Sequence, residues 1–366
     1  MTRRDYSLLG PDGQRAVDTG LAAAEWYHTD VPRKVMKELM QRRDGPAIRD
    51  TIIYYGLMLV TVGIAIALWP HWYSIPFWLA YGVLYGSASD SRWHECQHGT
   101  AFKTPWMNNV VYEIASFMVM RNSVTWRWSH ARHHTNTYIV GMDPEIAVMR
   151  PADLPRVILG FIGIEGAWGH LKGMVANAFT GVTAAEKTFI PESEWPKVVR
   201  VARISTAIYA ATLLLAFYMH SILPLMVIGL PRLFGCWHMS LVGLLQHAGL
   251  ADNVVDHRLN SRTVYMNPVS RFLYWNMNYH VEHHMFPMVP YHALPRLHEI
   301  IKHDLPAPNT SMWQAYSQII PAWKRQLKYE DYFIRRDLPA TAKPYRMDFH
   351  DAALGAALGE VTRAAE

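Results

Sequence analysis

Residues 51–69, TIIYYGLMLVTVGIAIALW, contain no charged side chain. At about 1.5 Å of rise per residue this stretch matches a hydrocarbon core roughly 30 Å thick, where a lone segment satisfies its backbone only as a helix. The chain therefore reads first as an all-α membrane protein. Pro70 and His71 mark a tight turn, and a second apolar stretch follows at 73–89. The form recurs downstream. Residues 202–219 are apolar, His220 and Ser221 break the run, and 222–246 continues it, interrupted by Pro231 and Arg232. About four transmembrane helices in two hairpins are expected. Two further apolar runs, 109–120 with Glu113 and 156–170 with Glu165, are too short or too polar to span. They read as interfacial or buried helices lying against the membrane.

Charge sets the sidedness. The turns near Pro70 and His220 carry no Lys or Arg, whereas nine precede residue 50: Arg3, Arg4, Arg15, Arg33, Lys34, Lys37, Arg42, Arg43 and Arg49. By the positive-inside rule the N-terminus is cytoplasmic, and each hairpin returns the chain to that side. A mean hydropathy of −0.03 is too low for a chain made of spans alone, so a cytoplasmic helical cap is expected beside them. The expected division is a cytoplasmic N-terminal segment at 1–50, a membrane domain at 51–310 and a cytoplasmic C-terminal segment at 311–366. The last ends in AALGAALGEVTRAAE, a weak helix or disordered end. The opening residues, MTRRDYSLLGPDGQRAV, lack the apolar core of a cleavable signal peptide. Two cysteines exclude a disulfide framework. The net charge of +5 suits anionic headgroups or an acidic protein partner, and no basic run has nucleic-acid motif spacing.

Beyond the first hairpin lie WHECQHGT, with His94 and His98, and WRWSHARHHTNT, with His130, His133 and His134. Beyond the second lies NYHVEHHMFP, with His280, His283 and His284. Two boxes share the spacing H-x-x-H-H, and all three fall on the cytoplasmic side of the expected topology. Residues three or four apart on a helix share a face, so each box offers imidazoles from about one turn. Neutral imidazole is the commonest metal ligand. Eight imidazoles exceed the needs of one ion, and two ions with open positions fit the count better. Ligand type alone leaves zinc, copper, iron and nickel open. Outside the boxes His28, His71, His170, His220, His292, His298, His303 and His350 read as ordinary interfacial or satisfied histidines.

Other readings explain less. HECQH matches the H-E-x-x-H pattern of zinc proteases, with Glu95 as general base, but that leaves six box histidines without a role. Paired axial ligands to haem belong inside facing spans, and a metal transporter needs polar ligands at mid-membrane, where these hairpins have few.

The order H-x-x-x-H, H-x-x-H-H, H-x-x-H-H around two hydrophobic hairpins resembles the membrane fatty acid desaturase family over roughly residues 50–310. NYHVEHHMFP and TNTYIVGMDPE carry the resemblance most closely. It implies a non-haem di-iron centre that uses O2 and two electrons, with ligands His94, His98, His130, His133, His134, His280, His283 and His284. Some members add a histidine before the third box. In LLQHAGL, His247 is the candidate, with His238 and His257 as alternatives. Asn276 and Asn278 are placed to bind a water near one iron. Ligating histidines usually give their second N–H to a carboxylate or carbonyl. Glu95, Asp143, Glu145, Glu282, Asp252 and Asp256 are the candidates, Asp252 and Asp256 reading better as solvated loop charges.

Family hydroxylases and ketolases share this framework, so the expected function is a desaturase, with hydroxylation of a hydrocarbon or other small substrate as the alternative. Acyl lipid is the family's usual substrate. The sequence has no fused haem-domain signature, flavin or dinucleotide fingerprint, or iron–sulfur cysteine cluster. A separate donor is therefore expected: ferredoxin or rubredoxin with its reductase, or a free haem protein. These features lean toward a bacterial inner-membrane enzyme. Arg92, Lys103, Arg121, Arg127 and Arg132 form an expected basic surround for donor docking; Arg127 and Arg132 read equally as structural or headgroup contacts.

Overall fold

A computed structural model describes residues 4–345. The expected weak helix at 352–366, and His350, lie outside the described residues. Within them the protein is helical, without strands beyond the isolated bridges Thr263–Tyr279 and Val264–Asn309.

Three helices are long and apolar enough to cross a membrane: Arg33–Ala67, Glu192–Tyr218 and Leu223–His247. In the first, the regular helix begins at Asp44, whose carboxylate suits the positive end of the helix dipole. Ile52 and Leu59, each 66% exposed, face outward as lipid-facing residues do. Tyr54 faces inward and donates to the carbonyl of Leu84 at 2.9 Å.

The stretch expected as a second span at 73–89 is not among the three, and its helix does not stop at residue 89. Helix Ile75–Val83 passes through a π turn, Leu84–Ala88, directly into Ser89–Gln97. The run Ser87-Ala88-Ser89-Asp90-Ser91 looks like a terminator because short polar side chains compete for backbone groups. Here they bond back along the helix instead: Ser91 Oγ donates to Ala88 O at 2.9 Å and Ser89 Oγ to Tyr85 O. The first histidine box thus rides on the continuation of the helix that begins at Ile75. In the last apolar stretch the interruption is real. A short helix, Leu223–Val227, ends before Pro231, which opens helix Pro231–His247 at its first position.

The helices containing Gly82 and Gly235 meet backbone to backbone. A Cβ on Gly235 would lie 1.9 Å from the Gly82 oxygen, and one on Gly86 would lie 2.8 Å from the Pro231 oxygen. This is the small-residue packing used where no water drives helices together. The helices Leu154–Ile162 and Ile164–Thr180 expose Ile158, Ile162, Trp168 and Phe179. They form an apolar shelf. They break at Gly163, whose φ of +79° and contact with Cys236 favour glycine.

A hydrophobic core gathers Trp93, Phe102, Tyr112, Trp275, Met277, Leu294 and Leu297 beside the box helices. The chain near residue 27 is pinned to this core. Tyr27 and Thr29 donate to Asp304, which also pairs with the buried Arg258 at 2.9 Å.

Candidate metal centre

The three boxes converge, and one further histidine joins them. His94 lies on Ser89–Gln97, with His98 capping its end. His130, His133 and His134 lie on Ser123–Thr135, which starts at Asn122, whose side chain accepts from Val124 N at 3.1 Å and Thr125 N at 3.3 Å. His280, His283 and His284 occupy the short helix His280–Met285. His247 ends helix Pro231–His247, where Arg262 donates to the carbonyls of Leu245 at 2.9 Å and Ala248 at 3.0 Å. That contact satisfies helix-terminal carbonyls and fixes where His247 points.

The nine imidazoles form two groups. His94, His98, His130, His134 and His283 make one; His133, His247, His280 and His284 make the other. Within each group the ligand atoms lie within 4.8 Å of one another. Each H-x-x-H-H box is therefore shared rather than directed at one point. Helix geometry is the reason. At about 100° per residue, the third residue after His130 turns about 60° one way and the fourth about 40° the other. His130 and His134 consequently face the first group and His133 the second. The third box divides likewise, with His280 and His284 in the second group and His283 in the first.

The ring nitrogens crowd together. In the first group His94 Nε2 lies 2.8 Å from His283 Nε2, and His134 Nε2 lies 3.0 Å from His130 Nε2 and 3.2 Å from His283 Nε2. In the second, His280 Nε2 lies 3.0 Å from both His247 Nε2 and His284 Nε2. Several of these nitrogens have no proton to share. His130 Nδ1 faces Glu145 at 2.9 Å, His133 Nδ1 faces Asp143 at 2.8 Å, and His247 Nδ1 faces the Asn260 carbonyl at 2.7 Å. Those acceptors hold the proton on Nδ1 and leave the Nε2 lone pair pointing inward. Converging lone pairs repel unless a cation lies among them. Metal–nitrogen bonds of about 2.1 Å meeting near a right angle place nitrogens about 3.0 Å apart, so the residues fit a metal in each group.

The electrostatics agree. Burial, reinforced by neighbouring imidazoles, pushes His130, His134, His280, His283 and His284 well below the usual histidine range. They are neutral near pH 7, the ligating form. His133 moves the other way: burial opposes protonation, but the charge and hydrogen bond of Asp143 outweigh it.

Several expected supporting residues are placed elsewhere. Glu95 accepts from Thr100 Oγ1 at 2.7 Å and Tyr291 N at 3.0 Å, touching no box imidazole. It is also not positioned as a protease base. Glu282 binds Thr263 Oγ1 at 2.6 Å and the ring of His298, which lies outside both groups. Asp252 pairs with Arg4 and Arg150, and Asp256 with Arg258, so both are structural. Asn276 uses its whole amide on Arg271 Nε at 3.1 Å and Tyr291 O at 3.0 Å. Asn278 donates to Val264 O at 2.9 Å and keeps a buried oxygen without a partner. His238 bonds Ser87 Oγ at 2.8 Å, away from both groups.

His257 also lies outside both groups but sits close by. Its ring lies 5.0 Å from that of His284 and stacks at 4.2 Å on partly exposed Trp26. Among the residues expected to dock a donor, Arg92 is fully buried against backbone carbonyls and Arg121 pairs with Asp90. Arg132 Nε donates to Met142 O at 3.3 Å, and Arg127 lies over the Tyr112 ring at 4.4 Å. Two contributors carry no sequence signal: the Asn260 carbonyl, and Thr137 Oγ1 at 3.3 Å from His284 Nδ1.

Removing a partner that orients a ligand should weaken metal binding about 10–100-fold. Asp143→Asn should do so in chelator competition on purified protein. Glu95→Gln should leave metal affinity unchanged, and the reverse order of effects would contradict these placements.

A family model described as fatty acid desaturase matches residues 70–316. An omega-3 fatty acid desaturase, chloroplastic, from Ricinus communis is 24% identical over 70% of this chain and 58% of its own. A temperature-sensitive sn-2 acyl-lipid omega-3 desaturase (ferredoxin), chloroplastic, from Arabidopsis thaliana is 26% identical over 70% of this chain and 61% of its own. An acyl-lipid omega-3 desaturase (cytochrome b5), endoplasmic reticulum, from Arabidopsis thaliana is 22% identical over 70% of both chains. The chain thus spans about three fifths of the length of the first two of these relatives.

Proposed function

The chain belongs to the fatty acid desaturase family, and on that premise we propose that it is an O2-dependent membrane oxidoreductase that desaturates an acyl chain. The observation that carries the proposal is the division of nine imidazoles into two adjoining groups, with each H-x-x-H-H box serving both. Two irons bound there would supply, with O2 and two electrons, the oxidising power to remove hydrogens from an unactivated C–H bond. The chain's own residues do the rest. His94, His98, His130, His134 and His283 hold one ion, and His133, His247, His280 and His284 hold the other. Asp143, Glu145 and the Asn260 carbonyl keep three of these rings in the ligating tautomer. Burial of the histidines excludes bulk water and protects the site from side reactions.

The proposed topology has four spans in two hairpins, with the continuous helix from Ile75 to Gln97 as the second. Residues 51–310 form the membrane di-iron domain, flanked by cytoplasmic segments. The basic residues before position 50 support a cytoplasmic N-terminus and put the histidines on that side. The test of the reaction is mass spectrometry of lipids from cells producing the protein, with and without O2. An O2-dependent product lacking two hydrogens supports desaturation. A product that instead gains one oxygen identifies the hydroxylase alternative, and no O2-dependent product contradicts the oxidative reading.

Electrons come from a separate protein in this proposal. Relatives named for ferredoxin and for cytochrome b5 support such a donor. Trp26 stacked on His257, and His257 beside His284, form a ring path from the surface to the second group. With Arg92 and Arg121 engaged internally, Lys103, Arg127 and Arg132 remain as the docking cations. Reduction by an acidic ferredoxin should slow as salt rises from about 0.1 M to 1 M, because the Debye length shrinks from about 10 Å to about 3 Å. Arg127→Glu should slow it further at low salt while metal content stays the same. Stopped-flow rates indifferent to both changes would contradict docking there.

A further inference from the structure

The loop after the second box holds an unusual backbone conformation. Tyr138 has a φ of +57°, in the left-handed region that bulky side chains rarely enter. Such a conformation persists only where surrounding contacts hold it, and it collects at functional sites. The contacts that hold Tyr138 come from Asn253. Its N–H donates to the Tyr138 carbonyl at 3.0 Å, and its Oδ1 accepts from Val140 N–H at 2.9 Å. Asn253 is itself left-handed, at a φ of +55°, which its short amide side chain tolerates. The loop between His247 and the third box is thus clamped to the loop after the second box.

Tyr138 reaches two ligands of the second group from this position. Its ring is buried and lies on the imidazole of His247, with centroids 4.7 Å apart and planes inclined by 29°. Its backbone N–H donates to Asp143 Oδ2 at 2.8 Å, the same oxygen that faces His133 Nδ1 at 2.8 Å. The residue before it serves the same group. The Thr137 carbonyl accepts from Asn260 Nδ2 at 3.1 Å, and the Asn260 carbonyl in turn faces His247 Nδ1 at 2.7 Å.

A hydrogen bond at Nδ1 fixes one atom of the His247 ring and leaves its plane free to swing about that bond. A second ring packed on its face removes this freedom and keeps Nε2 toward His280, 3.0 Å away. At Asp143, a second donor to Oδ2 keeps the carboxylate from turning away from His133. Because φ sets where the side chain points relative to the N–H, the left-handed value lets one residue make both contacts.

We propose that Tyr138 is a positioning residue for the second ion, holding His247 through its ring and His133 through Asp143. Among the described residues, none of its ring contacts or hydrogen bonds reaches a histidine of the first group. The hydroxyl takes no part, since it reaches the Val148 backbone rather than a histidine. The role of Tyr138 rests on the two-ion reading of the histidines and not on the reaction.

The test titrates the iron-loaded full chain in nonionic detergent with a chelator and measures the iron retained per chain. Tyr138→Leu keeps the backbone N–H and loses the aromatic face. It should give up one ion at roughly 10-fold to 100-fold lower chelator concentration and hold the other as wild type does. Tyr138→Phe should retain both. In a His247→Ala background, Tyr138→Leu should cause no further loss, because both changes act through one imidazole. Full retention by Tyr138→Leu overturns the proposal, and so does an equal loss in Tyr138→Phe. Loss of both ions from Tyr138→Leu, or a further loss in the His247→Ala background, also overturns it, making the tyrosine a general support of the fold. If Tyr138→Leu does not fold, Asn253→Gly decides. Glycine accepts the left-handed φ, so only the acceptor for Val140 N–H is removed. One ion should again be released early, and unchanged retention overturns the proposal. A wild type that binds a single ion contradicts the two-ion reading itself, whereas two ions held equally by every variant contradict the role of Tyr138 alone.

Discussion

His283→Ala should reduce activity to background while the protein still inserts and folds. His283 joins the boxes: its Nε2 lies 2.8 Å from that of His94 and 3.2 Å from that of His134, so its loss opens the first group toward both other box helices. Members of a catalytic unit act together, and removing one commonly costs nearly as much as removing several. Iron content should fall below two equivalents per chain. The more discriminating pair is His247→Ala and His238→Ala. His247 points at His280, and its loss should deplete the second ion. His238 bonds Ser87 away from both groups, and its loss should leave iron content unchanged. Equal iron in the two variants would contradict the grouping of the nine histidines.

Gly235→Leu should abolish recovery of folded protein, measured as a monodisperse peak in detergent chromatography. Its Cβ would fall 1.9 Å from the Gly82 oxygen, a backbone atom that cannot rotate aside. The cost should exceed the about 1–3 kcal/mol usual for overpacking with a side chain, since two helices must separate. Their separation would also displace His94 and His247, which these helices carry into the two groups. Even Gly235→Ala should lower the melting temperature. Gly243, on the same helix with nothing within 4 Å of its would-be Cβ, supplies the control. Gly243→Ala should be neutral or stabilising by up to about 1 kcal/mol, the helix propensity difference. Similar losses at both positions would indicate a general intolerance of that helix rather than a close crossing.

Much of the site is legible in the chain. Apolar length and the basic N-terminal segment indicate the membrane helices, and repeated H-x-x-H-H spacing indicates the metal ligands. The spacing also contains the division of each box, since the third and fourth residues after a given one turn to opposite sides of it. The supporting carboxylates were harder to read for the same geometric reason. Glu95 and Glu282 each adjoin a box histidine, and one residue along a helix turns a side chain about 100° away. They support Tyr291 and His298 instead, while the carboxylates that reach the rings, Asp143 and Glu145, come from the loop after the second-box helix.

The helix end at residue 97 was obscured by Ser87, Ser89 and Ser91, whose hydroxyls look like turn formers until their bonds back along the helix are seen. The burial of Arg232 was not legible, because it depends on packing against sequence-distant Gly86, whereas Pro231 and Arg232 together read only as an interruption.

Metal analysis of the purified full chain tests the central claim most directly. Protein produced with iron available and isolated without chelator should contain close to two irons per chain, falling in His247→Ala and unchanged in His238→Ala. One zinc per chain, with activity retained in His283→Ala, would contradict the two-site reading.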